Sequence, residues 1–230
     1  MNILKLFLSA FLVMLLGVNG DSVLVSGKIP VNSKAAEKQK ASGAYPGRVV
    51  KRNSDHKINS LRNAVVYLIS QEPTGFSETA EKARLDQIDF NFIPHILAVQ
   101  AGTTVEFYNL DPVFHNVFSF SKPKKFDLGR YPKNHFKSVT FDKPGLIKLF
   151  CEIHSDMSAF ILVLNTPYFA YPDLEGKFTF NHVPPGEYTL RVWQEEGEAF
   201  QTHIQVPDTE TYQLKEVPLQ ELAQKEKMFE

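Results

Sequence analysis

The chain of 230 residues has a single cysteine, Cys151, so no internal disulfide can staple its fold. A charge excess is missing too: 25 Lys and Arg stand against 26 Asp and Glu, a formal net charge of -1. A dedicated nucleic-acid binder normally carries a basic surplus, so the balance argues against that class. The sequence has no Gly-rich phosphate loop, no Ser-x-Gly nucleophile elbow and no carboxylate pair at a spacing that would serve hydrolysis. Long apolar runs are also lacking. The run from Leu6 to Val18 is too short to span a bilayer comfortably. With Lys5 before it and the small-residue exit Val18-Asn19-Gly20 after it, residues 1–20 read as a signal peptide, which predicts a periplasmic or otherwise exported protein. Retained as an anchor, the same segment would be the protein's tie to a membrane.

What is present points to short strands. Aromatics make up 12% of the chain, with 19 Phe, while 14 Pro and 12 Gly punctuate it throughout. The length exceeds the usual domain size of about 100 to 150 residues, which allows one large domain or two small ones.

The most informative stretch is Phe150-Cys151-Glu152-Ile153-His154-Ser155-Asp156-Met157, read with Phe114-His115-Asn116 upstream. The thiol is followed at C-x-x-H-x-x-M spacing by an imidazole and a thioether, and His115 supplies a second imidazole. A thiolate and two imidazoles in a trigonal plane, with a weak axial methionine, form the set that suits a one-electron copper centre. In Leu146-Ile147-Lys148-Leu149-Phe150-Cys151 a period of two puts Ile147, Leu149 and Cys151 on one face, so the thiol points inward. Each residue alone has a plain reading, since a lone Cys is usually a small buried hydrophobe and a lone Met core filler. Their order, with His115 after a strand and turn and the other three on one loop between strands, favours the metal. A nucleophilic Cys-His pair fits less well: activated thiolates commonly sit at helix N-termini, whereas Cys151 leads into the strand-like Phe160-Ile161-Leu162-Val163-Leu164. Export adds weight, because an unpaired thiol in an oxidising compartment needs burial or ligation.

The run from Ile88 to Leu164 resembles the cupredoxins, the blue copper proteins, and its ligand spacing is similar to that of amicyanin, the member with the shortest Cys-to-Met loop. Phe92-Ile93-Pro94, then Val99-Gln100-Ala101-Gly102-Thr103-Thr104-Val105-Glu106-Phe107, Asn109-Leu110-Asp111 and Phe114-His115-Asn116-Val117 follow the family pattern. The resemblance implies His115, Cys151 and His154 as strong copper ligands and Met157 as the axial one, with one type 1 copper per chain. It implies that the Asn116 side chain ties the two ligand loops together. The His154 edge, ringed by Phe114 and Met157, would be the port to redox partner proteins. The chain departs from amicyanin and plastocyanin at Ile153, where they have Pro.

Flanking segments have a different character. Val23 to Ile29 and Asn63 to Ile69 read as strands, and so do Pro172 to Phe180, Val183 to Trp193, His203 to Val206 and, more weakly, Thr211 to Val217. Val25-Ser26-Gly27-Lys28-Ile29 with Ala64-Val65-Val66-Tyr67-Leu68, and the segment after Pro167, resemble the two halves of a carboxypeptidase-regulatory-like, transthyretin-like sandwich. Neither half has enough strands for its own two-sheeted core. The expected architecture is therefore all-β: a cupredoxin Greek-key β-sandwich over residues 84–166, inserted in or next to a second small β-sandwich formed from residues 21–71 and 168–217. Thr74 to Arg84 reads as a linker, Asn32 to Arg48 as a solvated loop, and residues 218–230 as a charged tail with a short helix from Leu219.

Lys122, Lys124, Lys125, Arg130, Lys133 and Lys137 make the loop after Phe120 basic, a surface able to steer an acidic redox partner or simply a solvated loop. His56, His95, His135, His182 and His203 lack metal spacing. The functional expectation is one-electron transfer without transformation of a substrate, with copper delivery or a metal-free interaction module as alternatives.

Overall fold

Among the described residues four β-sheets stack face to face. The computed structural model describes residues 22–29, 63–72, 81–195, 200–214 and 220–221, and among them there is no α-helix. The strands are β1 Val23–Lys28, β2 Ala64–Ser70, β3 Lys82–Ile88, β4 Asn91–Ile93, β5 Ile96–Gln100, β6 Thr104–Asn109, β7 Phe118–Ser119, β8 Phe126–Asp127 and β9 Phe136–Thr140. They continue with β10 Gly145–Phe150, β11 Ser158–Leu164, β12 Phe169–Ala170, β13 Lys177–Val183, β14 Gly186–Gln194, β15 Phe200–Val206, β16 Thr211–Gln213 and β17 Gln220–Glu221. The all-β expectation holds.

The central sandwich packs the sheet β4-β3-β6-β9 against β5-β11-β10-β7-β8. Alternation drives it: Ile147 and Leu149 on β10 and Ala159, Ile161 and Val163 on β11 point into a core with Leu85, Val105, Phe107 and Phe141. The flanking sandwich packs β13-β1-β16 against β12-β2-β14-β15-β17. Its core joins Val23, Val25, Val66 and Leu68 from before the central strands to Phe178, Phe180, Leu190 and Val192 from after them. The seam between these segments is closed at Gly176, whose carbonyl accepts from the Ile29 amide at 2.9 Å. With φ at 82° and the Ile29 carbonyl against the position a Cβ would take, only glycine fits there.

The two sandwiches share a third apolar layer. Ile96 and Ala98 on β5 and Phe160, Leu162 and Leu164 on β11 meet Val65 and Tyr67 on β2 and Trp193 on β14. Thus, of the two strands that carry the candidate Cys-His-Met loop between them, β11 packs inward on the central core and outward on the flanking sandwich, while β10 packs inward and reaches the shared layer through the partly buried Leu146.

The structure departs from expectation at two places. The stretch read as the end of a linker is β3, which pairs in parallel with β6 over Lys82 to Gln87; its polar composition hid it, because only Leu85 and Gln87 turn fully inward. Of the charged C-terminal stretch expected as a helix from Leu219, the two described residues, Gln220 and Glu221, instead pair with Gln201 and Phe200 of β15, and the remainder lies outside the described residues. An open sheet edge overrides helical propensity there. Residues 1–20 and the loop at 32–48 lie outside the described residues, as do residues 74–80 of the linker.

Leu162 is fully buried in the layer between the sandwiches. Leu162→Ala should cost about 2–5 kcal/mol in urea unfolding. The emission of Trp193, the sole tryptophan, should shift to the red, because that ring lies in the same layer.

Candidate metal centre

Two loops at one end of the central sandwich build the site. After β6 the chain turns at Asp111-Pro112, a turn shaped by Asn109: its Oδ1 accepts from the Asp111 amide at 3.0 Å, and its Nδ2 donates to the Val113 and Tyr131 carbonyls at 2.8 and 3.0 Å. His115 then forms an antiparallel bridge with Tyr131, through backbone bonds of 3.2 and 2.9 Å. Its ring is fully buried. Nε2 lies 2.8 Å from the Asp111 carboxylate, an ionised acceptor that selects the tautomer with hydrogen on Nε2 and leaves the Nδ1 lone pair free.

The second loop joins β10 to β11. Phe150 and Ser158 are the last paired residues, and between them Met157 donates its amide to the His154 carbonyl at 3.0 Å while Cys151 donates to the Met157 carbonyl at 3.3 Å. Cys151 and Met157 are buried in the same core cluster, and His154 is half-buried. Asn116 links the loops: its Oδ1 accepts from the Glu152 amide at 2.6 Å, and its Nδ2 donates to Asp127 at 3.3 Å. Its carbonyl accepts from the buried Gln87 at 3.2 Å.

The donor atoms converge. Nδ1 of His115 and Nδ1 of His154 are 3.0 Å apart, and Sγ of Cys151 lies 3.8 Å from the first and 3.9 Å from the second. A triangle with those sides has a central point about 2.1 Å from each corner, close to metal–nitrogen and metal–sulfur bond lengths of about 2.0–2.3 Å. The three residues are the group of His, Cys and acidic residues placed to hold a metal ion among the described residues. A soft thiolate with two imidazoles and a buried thioether on the same loop points to copper.

Electrostatics keep the site in a ligand-ready state. Burial pushes the Asp111 carboxyl upward, but the amides of Phe90 and Asp89 and the His115 ring outweigh it and hold the group below the usual carboxylate range. Burial, with the neighbouring His115 ring, lowers the basicity of His154 against an opposing pull from Asp111. The buried Tyr131 phenol has no hydrogen-bond partner among the described residues; burial, reinforced by charge on Cys151, raises its pKa and keeps it protonated.

Two residues here carried no signal in the sequence reading. Asp111 appeared only as part of a pattern, yet its two oxygens accept from the amides of Asp89 at 2.7 Å and Phe90 at 2.9 Å as well as from His115. Those amides form the two-residue turn between β3 and β4, with φ of 50° and 60°. Asp tolerates the left-handed region, but a phenylalanine there is an outlier that costs about 1–3 kcal/mol. The turn sets the Phe90 ring edge-on to both imidazoles, with centroids 4.8 Å from His154 and 5.8 Å from His115. Phe90, Phe114 and Ile153 are 49%, 55% and 37% exposed, so the turns that carry or cover the two imidazoles each present a large apolar side chain to solvent. In the basic loop, Lys124 and Arg130 pair with Asp142 and Glu152, and Lys137 donates to the Leu128 carbonyl. His95 pairs with Glu195 at 2.8 Å and stands apart from the site.

Residues 163–214, which run from the end of β11 through β16, match a family model described as Polysaccharide lyase family 4, domain II. Among curated proteins none matches the chain. Among solved structures it is similar to a purple cupredoxin from Nitrosopumilus maritimus, at 22% identity over 36% of this chain and 99% of that one, with a TM-score of 0.33. A copper-containing nitrite reductase from Thermus scotoductus SA-01 is 23% identical over 43% of this chain and 25% of that one, with a TM-score of 0.35. A reduced variant of amicyanin is 21% identical over 43% of this chain and 98% of that one, with a TM-score of 0.35.

Removing the Asn116 side chain leaves the Glu152 amide without its acceptor. Asn116→Ala should destabilise the protein by about 1–3 kcal/mol in chemical unfolding, and should weaken metal binding, read by competition with a chelator, by about tenfold to hundredfold. Acid should act in two windows. The folded-state pKa of His154 is lowered, so below the unfolded histidine value of about 6.5 the unfolded chain binds more protons. Metal-free stability should fall with pH from there down to the folded value. The Asp111 contribution, present above the unfolded value of about 3.9, is lost only further down, as pH falls through its folded value. Urea midpoints measured from pH 8 to pH 3 check both; a flat profile between pH 7 and pH 5 would contradict the first.

Proposed function

We propose that this is an exported type 1 copper protein that binds one copper ion through His115, Cys151, His154 and Met157 and passes single electrons between redox partner proteins. The observation that carries the reading is the triangle of two imidazole nitrogens and one thiol sulfur around a common point, at distances that fit metal bonds. Copper, when bound, supplies the one-electron couple. The chain supplies the rest. Cys151 binds as the thiolate, and Asp111 holds His115 with Nδ1 turned inward. Asn116 keeps the two loops in register, and the packed core beneath Cys151 and Met157 excludes water. His154 is the ligand nearest the surface, and the apolar side chains of Phe90, Phe114 and Ile153 beside it form a surface that a partner can desolvate on docking. Export is proposed from residues 1–20, and burial with metal ligation would protect the lone thiol in an oxidising compartment.

The test is titration of the mature chain with Cu(II), followed by film voltammetry. Saturation at one copper per chain should bring an intense visible sulfur-to-copper charge-transfer band, and Cys151→Ser should abolish the band. The loaded protein should give a reversible one-electron wave. A colourless chain that takes up no copper would end the reading. Uptake without a reversible wave would favour copper delivery over electron transfer.

A further inference from the structure

The strained turn at Asp89 and Phe90 is unexplained by the needs of the fold. A two-residue hairpin with both φ values positive is satisfied at no steric cost by Asn-Gly or Asp-Gly. This chain has the required Asp first and then a phenylalanine, at φ of 60°, in a place where glycine would be relaxed. The ring gains little core burial in return, since it remains half exposed. What it does touch are the two imidazoles: its edge-on contacts with His154 and His115 have interplanar angles of 84° and 88°. The strained conformation is also held from below. The carboxylate that accepts both turn amides is the one that accepts the Nε2 hydrogen of His115, so the turn and the first ligand share one anchor.

We infer that Phe90 is a shield over the imidazole edge of the metal site, clamped by Asp111, and that it sets how fast the bound ion exchanges with solution. The inference rests on the copper reading above. Metal leaves a half-buried site by dissociation of its most accessible ligand and entry of water or a competing ligand at the vacated position. Here that ligand is His154, because His115, Cys151 and Met157 are buried. The Phe90 ring lies against His154, where it resists both rotation of the imidazole and approach from solvent. Its role is positional: it donates nothing to the ion, and acts through the ligand it covers.

This role separates stability from exchange. Phe90→Gly relieves the backbone and removes the ring, so the metal-free protein should melt no lower than the wild type. Loss of the visible band of the Cu(II)-loaded variant to excess EDTA should nevertheless quicken by about tenfold to hundredfold, the range typical of lost support around a metal ligand. Phe90→Tyr keeps the ring and should exchange within roughly twofold of the wild type. Asp111→Asn, which leaves one oxygen to serve three donors, should quicken exchange as Phe90→Gly does. The inference is overturned if Phe90→Gly exchanges at the wild-type rate, if its metal-free form melts lower, or if Phe90→Tyr is as fast as Phe90→Gly. A wild type that binds no copper overturns the copper reading itself and is read separately, before any variant is compared.

Discussion

The carboxylate of Asp111 is the point on which the site depends. It is buried, and a carboxylate removed from water must be repaid in hydrogen bonds. Three donors supply them: the amides of Asp89 and Phe90 and the ring nitrogen of His115. Each donor also needs the carboxylate. The two amides face inward only because the turn is left-handed, and the imidazole presents Nδ1 to the site only because Nε2 is held by the acid. The hairpin from β3 to β4, the orientation of the first ligand and the placement of an aromatic ring over the second are therefore one structure.

That structure stands on strands fixed from both sides. The outward faces of β5 and β11 are covered by Val65, Tyr67 and Trp193 of the flanking sandwich, and the inward faces of β10 and β11 by the central core. Strands buried on both faces carry nearly continuous apolar sequence, as Ser158-Ala159-Phe160-Ile161-Leu162-Val163-Leu164 does. The loop from Cys151 to Met157 leaves β10, whose inward face is packed on the central core, and enters β11, which is buried on both faces, so its ends are held. A site built at the ends of rigid elements keeps tighter geometry than one carried by a long free loop.

Whatever rested on periodicity was legible in the sequence. The alternation in Leu146 to Cys151 placed the thiol inward, and Ile147, Leu149 and Cys151 are indeed all buried. The β-branched run after Asn63 and the apolar run to Leu164 both became strands. The spacing of Cys151, His154 and Met157, read with His115 after a strand and turn, brought the donor set into view, and the fold brings the two loops together. Illegible were features whose cause is tertiary. Lys82 to Ile88 looks polar, because a strand paired on both edges needs only two inward residues, and one of these is a glutamine that bonds the Asn116 carbonyl. No local pattern says that a carboxylate four residues before an imidazole will reach it outside a helix. Nor does composition disclose a phenylalanine held at positive φ, since sequence propensity argues against it. Gln220 and Glu221 were misread for a related reason: the unpaired edge of β15 that recruits them lies elsewhere in the chain.

The contacts that shape the donor triangle run from protein to protein. His115 is set by Tyr131 and Asp111, the Cys151 loop by its own backbone bonds, and the relation between them by Asn116. An ion entering such a site meets a geometry imposed by the fold, and a change in its preferred coordination must work against packed side chains rather than mobile ones. The restraint is uneven across the triangle. His115 and Cys151 are held in the core, whereas His154 sits on the loop at the surface with a ring laid against it. Freedom in the site is thus concentrated in one imidazole. A site that is to hold an ion must restrict that residue as well. In this chain the restriction comes from a side chain that the backbone accommodates only under strain, and the strain persists because the Asp111 carboxylate meets both amides of the turn.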